Sequence, residues 1–234
     1  SRGATIDGFV TLTNGAATVI ASENLAPSVV LPTAGNDSLS GTNANDSVDL
    51  LAGSDVYEAL AGNDSVLGGL GNDSINGGNG ADSLLAGEGN DFIFGGNGSD
   101  SIDGGNGYDV IDYSDFSASL GISIDLSAGR ANDGTGGTDS FSGIEVVFGG
   151  FQNDTMIGGE GADNLLGFVG DDSLLGGAGN DLLQPGSGQD TVIAGDGNDF
   201  IFIVAASQND SIDGVNGTDA LNFSGSFSNY SISV

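Results

Sequence analysis

Gly77-Gly78-Asn79-Gly80-Ala81-Asp82-Ser83-Leu84-Leu85 returns in the second half of the chain as Gly176-Gly177-Ala178-Gly179-Asn180-Asp181-Leu182-Leu183-Gln184. The two stretches share one frame: a glycine pair, a third glycine, an aspartate two residues on, and a large apolar residue two beyond that. Working outward, the aspartate recurs every nine residues at Asp37, Asp46, Asp55, Asp64, Asp73, Asp82, Asp91, Asp100 and Asp109. A second run holds Asp154, Asp163, Asp172, Asp181, Asp190 and Asp199. Two residues before each aspartate of the first run stands glycine, except at Ala44. Two residues after it stands Leu39, Val48, Tyr57, Val66, Ile75, Leu84, Ile93, Ile102 or Ile111, and in the second run Met156, Leu165, Leu174, Leu183, Val192 or Ile201. A fixed period of this kind is the signature of a repeat architecture.

Composition narrows the chemistry. The 234 residues include 33 acids and two bases, Arg2 and Arg130, for a formal net charge of −31, and 44 glycines. Lys, His, Cys and Trp are absent. That excludes a Ser-His-Asp triad, a thiolate zinc site, a lysine-bearing P-loop and any disulfide. A polyanion cannot neutralise phosphates, so neither nucleic acid nor membrane insertion is expected. With 38% hydrophobic residues and a mean hydropathy of +0.04, the chain is not a disordered acidic tail. No apolar run reaches membrane-spanning length, and the opening residues predict no cleavable N-terminal export signal.

The physics of the unit can be built from its residues. Six positions rich in Gly, Asn and Asp make a turn. The next three make a short strand whose middle, apolar residue faces inward. One unit cannot bury that side chain, but stacked units can, as parallel strands about 4.8 Å apart. Two units then form one coil of eighteen residues, with two sheets, a thin aliphatic core and a column of turns on each edge. Asp73, Asp91 and Asp109 fall on one edge, and Asp64, Asp82 and Asp100 on the other. An isolated aspartate in such a turn is best read as capping its own backbone. Stacked carboxylates with no basic partner are a different matter, because they repel. A hard cation between layers resolves this, and two carboxylates plus turn carbonyls supply the roughly six oxygens calcium prefers. Magnesium, with its tighter octahedron, fits less well.

These residues resemble the glycine-rich nonapeptide of the RTX (repeats-in-toxin) family of type I secreted bacterial proteins, over roughly residues 35–112 and 149–221. The resemblance implies an all-β fold, a right-handed, calcium-loaded parallel β-roll with β caps. It implies metal ligands at the fifteen phased aspartates and Asp219, with the backbone carbonyls of Gly68, Gly71, Gly77, Gly80, Gly95, Gly98, Gly104, Gly107, Gly158, Gly161, Gly176 and Gly179. Several loops depart from the frame: Leu50-Leu51 before Asp55, Ala59-Leu60 before Asp64, Phe168 before Asp172 and Pro185 before Asp190. About seven to eleven calcium ions are therefore expected.

Five segments follow. Residues 1–34 lack the repeat; Phe9-Val10-Thr11-Leu12, Asn14-Gly15 and Ala17-Thr18-Val19-Ile20 predict a β-hairpin that caps the solenoid or is the remnant of a preceding domain. The arrays span 35–112 and 149–221. Between them, 113–148 is read as irregular coils continuing the solenoid, with an exposed loop near Arg130–Gly137; a separate strand pair is the alternative. After Asp199 the phase slips by two, to Asp210 and Asp219, and 222–234 is expected to form a capping strand.

The expected function is a calcium-binding structural module of a secreted, extracellular or cell-surface-associated protein that folds when it meets calcium outside the cell. Two other classes stand beside it. One is a self-assembling subunit whose copies, or neighbouring domains, stack end to end. The other is an accessory module of a polysaccharide-modifying enzyme. Catalysis by the chain itself is not expected, since glycosidase chemistry needs one tuned carboxylate pair in a sugar-sized cleft.

Overall fold

The computed structural model describes residues 10–13, 16–19, 31–114, 120–204, 209–224 and 231–233, the first two stretches and the last by backbone alone. The Asn14-Gly15 turn and Tyr230 lie outside the described residues, as do the flanking Phe9 and Ile20 of the expected hairpin. No helix occurs among the described residues, and none is long and apolar enough to cross a membrane.

The period of nine becomes two sheets of parallel strands. Strands Ser74–Asn76, Phe92–Phe94 and Val110–Asp112 each begin directly after a phased aspartate and lie in a ten-stranded sheet running from Ser38–Ser40 to Ala220–Ser224. The alternate units form a twelve-stranded sheet from Ser47–Asp49 to Ser231–Ser233. Within an array neighbouring strands are eighteen residues apart and in register: Ile75 pairs with Ile93, Ile93 with Ile111, Val66 with Leu84 and Leu84 with Ile102. The apolar residue of each unit therefore stacks on its counterpart one coil away. Ile75, Ile93, Ile111, Val147, Leu165 and Leu183 are fully buried in the first sheet, and Leu84, Met156 and Val192 face them from the second. At about 1.5–3 kcal/mol for each buried large aliphatic side chain, this file is the main apolar contribution to the fold.

Two turn positions differ from the glycine-only picture. Where the first glycine is replaced, the side chain joins the core: Leu50, Ala59, Ala86 and Ala194 are fully buried. The second position takes a left-handed backbone in most units, Gly150 and Gly159 being exceptions. Gly78 and Gly96 sit there at φ of 89° and 93°, and Leu51, Leu60, Phe168 and Val215 hold φ of 67° to 80° at the equivalent points. Left-handed backbone at a non-glycine residue costs on the order of 1–3 kcal/mol and persists only when the surroundings impose it.

Between the arrays the two sheets behave differently. In the first sheet Val110–Asp112 pairs directly with Val146–Gly150, so Ile111 meets Val147. In the second, three strands intervene. Thr138–Ser142 lies parallel to Ser101–Asn106, then Arg130–Asn132 and Ser123–Asp125 fold back antiparallel, and Ser123–Asp125 runs parallel to Thr155–Ile157. The stretch 130–137, expected as an exposed loop, instead begins with a strand and turns Asp133 inward, buried at 3% exposure. At the N-terminal end Val10–Thr13 pairs antiparallel with Ala16–Val19.

Candidate metal centre

Each coil edge carries a ladder of carboxylates with a constant bonding pattern. The amide of Asp55 donates to Oδ1 of Asp73 at 2.8 Å, that of Asp73 to Asp91 at 2.8 Å and that of Asp91 to Asp109 at 2.8 Å. The other edge repeats this from Asp46 through Asp64, Asp82 and Asp100. The second array repeats it from Asp154 to Asp172 and Asp190, and from Asp163 to Asp181 and Asp199. One carboxylate oxygen is thus used to tie adjacent coils.

The other oxygen is left alone. Oδ2 is buried without a hydrogen-bond partner at Asp55, Asp64, Asp73, Asp82, Asp91, Asp100, Asp109, Asp154, Asp172, Asp181, Asp190 and Asp199. An unsatisfied buried charged oxygen is costly, and twelve in one small fold demand an explanation. Burial pushes the Asp100 and Asp172 carboxyls up to about 7, and those of Asp91, Asp154, Asp181 and Asp190 up to about 6. The amide hydrogen bond on Oδ1 lowers each of these, and stacked neighbouring carboxylates raise most of them further. With the chain's own atoms alone these groups resist ionisation. A cation beside Oδ2 would reverse that.

Backbone oxygens converge on the same points. A β-carbon added at Gly77 would stand 2.7 Å from Asp82 Oδ2 and 2.5 Å from the carbonyl oxygen of Gly95 in the coil above. At Gly68 it would stand 2.7 Å from Asp73 Oδ2 and overlap the Ala86 carbonyl; at Gly158 and Gly176 the carbonyls of Gly176 and Ala194 take that part. This first turn position is also where the strand ladder breaks. Pairing runs from Leu67↔Leu85 to Gly69↔Gly87 and omits Gly68 and Ala86. The carbonyls of Gly71, Gly80, Gly161 and Gly179 point along the stack at Gly89, Gly98, Gly179 and Gly197, and that of Gly98 at Gly137. Among the described residues no three acidic side chains gather closely enough to hold a metal by themselves. A cation in these gaps must therefore combine carboxylate with backbone carbonyl, which is the oxygen-only donor set of calcium.

The expected ligands are not all alike. Asp37 and Asp46 are satisfied within their own turns: Oδ2 accepts from the amide and hydroxyl of Thr33 and of Thr42, respectively. Asp163 Oδ2 accepts from the Gly159 amide at 2.6 Å. Asp219 Oδ1 accepts from the Asp199 amide at 3.1 Å. Three acids outside the expected set also occupy column positions. Asp210 accepts the Asp190 amide at 3.0 Å, Asp139 the Asp100 amide at 2.9 Å, and Glu145 the Asp109 amide at 2.9 Å. A signal for two of them was present. Gly137-Thr138-Asp139-Ser140-Phe141 and Gly143-Ile144-Glu145-Val146-Val147 both carry glycine, acid and apolar residue at the repeat's spacing.

A parallel solenoid with buried, unpartnered carboxylates on both edges defines a cation-binding repeat module. Residues 33–57, 51–84, 76–111, 139–167, 148–183 and 166–201 match the family model of the RTX calcium-binding nonapeptide repeat (4 copies), together more than half of the chain. The chain belongs to that family and is a calcium-binding RTX β-solenoid. No curated protein matches it significantly. Among solved structures it is similar to extracellular lipase LipA from Serratia marcescens, at 20% identity and a TM-score of 0.24, over 87% of this chain and 33% of that one. The chain thus spans about a third of that protein's length.

Proposed function

We propose that this chain is a non-catalytic module of a secreted bacterial protein, one that folds when calcium reaches it outside the cell. The observation that carries this reading is the set of twelve buried Oδ2 atoms with no partner, in a sequence holding only two basic residues. Without cations, the cost of these oxygens and of ordering so many glycines opposes a core one side chain wide. With calcium, binding free energy becomes folding free energy. Extracellular sites of this type hold calcium at roughly 10⁻⁴–10⁻³ M, so a calcium-poor cytosol would leave the chain unfolded and ready for export. The proposed ligands are the phased aspartates and Asp219, together with first-position and third-glycine carbonyls. A circular dichroism titration tests the reading: β signal should be weak in EGTA and develop in millimolar calcium. Equal signal in both overturns it.

A second reading, end-to-end assembly, is favoured by the sheet order. Ser38–Ser40 and Ser47–Asp49 at one end, and Ala220–Ser224 and Ser231–Ser233 at the other, each have a single strand partner among the described residues. Such edges can template pairing. Light scattering that grows with calcium supports assembly, and a monomer at high calcium opposes it.

A further inference from the structure

One acid column does not stop where the first array ends. The Asp109 amide donates to Oε2 of Glu145 at 2.9 Å, the bond that the Asp91 amide makes to Asp109 at 2.8 Å within the array. Asp109 is fully buried, and its Oδ2 has no partner. A β-carbon added at Gly104 would lie 2.8 Å from that Oδ2 and overlap the carbonyl oxygen of Gly143. The regular gap at Gly77 has the same parts, Asp82 Oδ2 and the Gly95 carbonyl. Glu145 therefore arrives at the column by a 36-residue step where the arrays use eighteen.

The opposite edge does not reproduce this. There the Asp100 amide meets Asp139 Oδ1, but Asp139 Oδ2 accepts the Tyr113 hydroxyl at 2.8 Å. A β-carbon at Gly95 would meet Asp100 Oδ2 and the Ile102 side chain, with no carbonyl among its three nearest atoms. Asp100 Oδ2 is also buried without a partner, but only the Asp109 edge shows both parts of a regular gap, an unpartnered carboxylate oxygen and a carbonyl from the next coil.

We infer that Asp109, Glu145 and the Gly143 carbonyl form a calcium site at the junction of the two arrays, with one carboxylate drawn from outside the aspartate repeat. The inference rests on the calcium reading above and extends it to the spacer. Its consequence is mechanical: one ion joins the last coil of the first array to the strand that starts the second, so the arrays fold as one unit.

Calcium titration calorimetry on the full chain tests this with Glu145→Gln. Glutamine keeps the length and the oxygen that accepts the Asp109 amide, so a merely structural Glu145 would leave binding unchanged. The expected result is about one calcium equivalent fewer, with the folding midpoint moved to higher calcium. An unchanged count and midpoint overturn the site. The unsubstituted chain is the control: if it binds no calcium, the calcium reading itself has failed. Should Glu145→Gln not fold at any calcium concentration, an anomalous map from a terbium-loaded crystal of the unsubstituted chain decides. A peak between Asp109 and Gly143 supports the site. Peaks in the regular gaps with none there overturn it and leave the calcium reading standing.

Discussion

The amide of Asp172 donates to Oδ1 of Asp190 at 2.9 Å, while Oδ2 of both residues is buried without a partner. Burial pushes the Asp172 carboxyl up to about 7 and that of Asp190 up to about 6, although each also accepts an amide hydrogen bond that lowers it. Folded without cations, these acids hold protons that the unfolded chain releases near pH 4. Stability from such groups is fully present below the unfolded pKa and is lost as pH rises through the folded values. This is opposite in sign to a salt-bridged aspartate.

Two opposed pH dependences follow from that sign. In EGTA the chain should gain β signal in circular dichroism as pH falls from about 8 to about 5, because protonation relieves the columns. In calcium the same acidification should raise the calcium concentration needed for folding, because protons compete for the ligand oxygens. A calcium-free chain with flat signal across this range would show that the carboxylates do not control folding.

Asp82→Asn should likewise change sign with calcium. Asparagine still offers an oxygen to the Asp64 amide, which lies 2.7 Å from Asp82 Oδ1. Calcium-free at neutral pH, the variant removes a buried unpartnered charge and should show more β structure than its parent. In saturating calcium it has lost a ligand and should melt lower, by roughly 2–4 °C for each kcal/mol lost. Destabilisation of equal size in both conditions would assign Asp82 to turn structure alone.

The aspartate columns were legible because a solenoid repeats in sequence what it stacks in space. Asp73 and Asp91 are eighteen residues apart in the chain and adjacent in the column. Glu145 kept that phase, nine residues before Asp154, yet a search for aspartate passes over it. Asp139 lost the phase altogether, since the antiparallel strands Ser123–Asp125 and Arg130–Asn132 lengthen one sheet and not the other. The Thr33 and Thr42 contacts to Asp37 and Asp46 were hidden for another reason. Both threonines keep the nine-residue spacing, four residues before their aspartates, but they stand where the frame has its second glycine, so a pattern of glycine and aspartate passes over them. The inward first position was masked by glycine itself, and Leu50, Ala59, Ala86, Pro185 and Ala194, all buried, reveal which way it faces.

Paired glycine substitutions separate the room an ion needs from turn flexibility. Neither Gly77 nor Gly161 has a positive φ. Gly77→Ala would place a methyl 2.7 Å from Asp82 Oδ2 and 2.5 Å from the Gly95 carbonyl, in the space assigned to an ion. A β-carbon at Gly161 meets nothing within 4 Å. Gly77→Ala should therefore shift the calcium midpoint upward. Gly161→Ala should stabilise the fold by about 0.4–1 kcal/mol through the unfolded state. Equal calcium midpoints for the two variants would argue against an ion beside Gly77.

Tyr113 offers a last test, because its hydroxyl does for Asp139 what calcium is proposed to do for the repeat aspartates. The side chain is buried at 7% exposure, and burial together with the Asp139 charge pushes the phenol well above its ordinary value of 10, so it remains a donor. Tyr113→Phe preserves ring and volume and leaves Asp139 Oδ2 without its donor. The loss should be about 1–3 kcal/mol, read as a lower melting temperature of roughly 2–4 °C per kcal/mol. It should persist in saturating calcium, since the three atoms nearest a β-carbon at Gly95 include no carbonyl oxygen, whereas those at Gly77 do. If calcium erases the difference between Tyr113→Phe and its parent, an ion can enter there after all, and the hydroxyl is a substitute for it rather than a permanent plug.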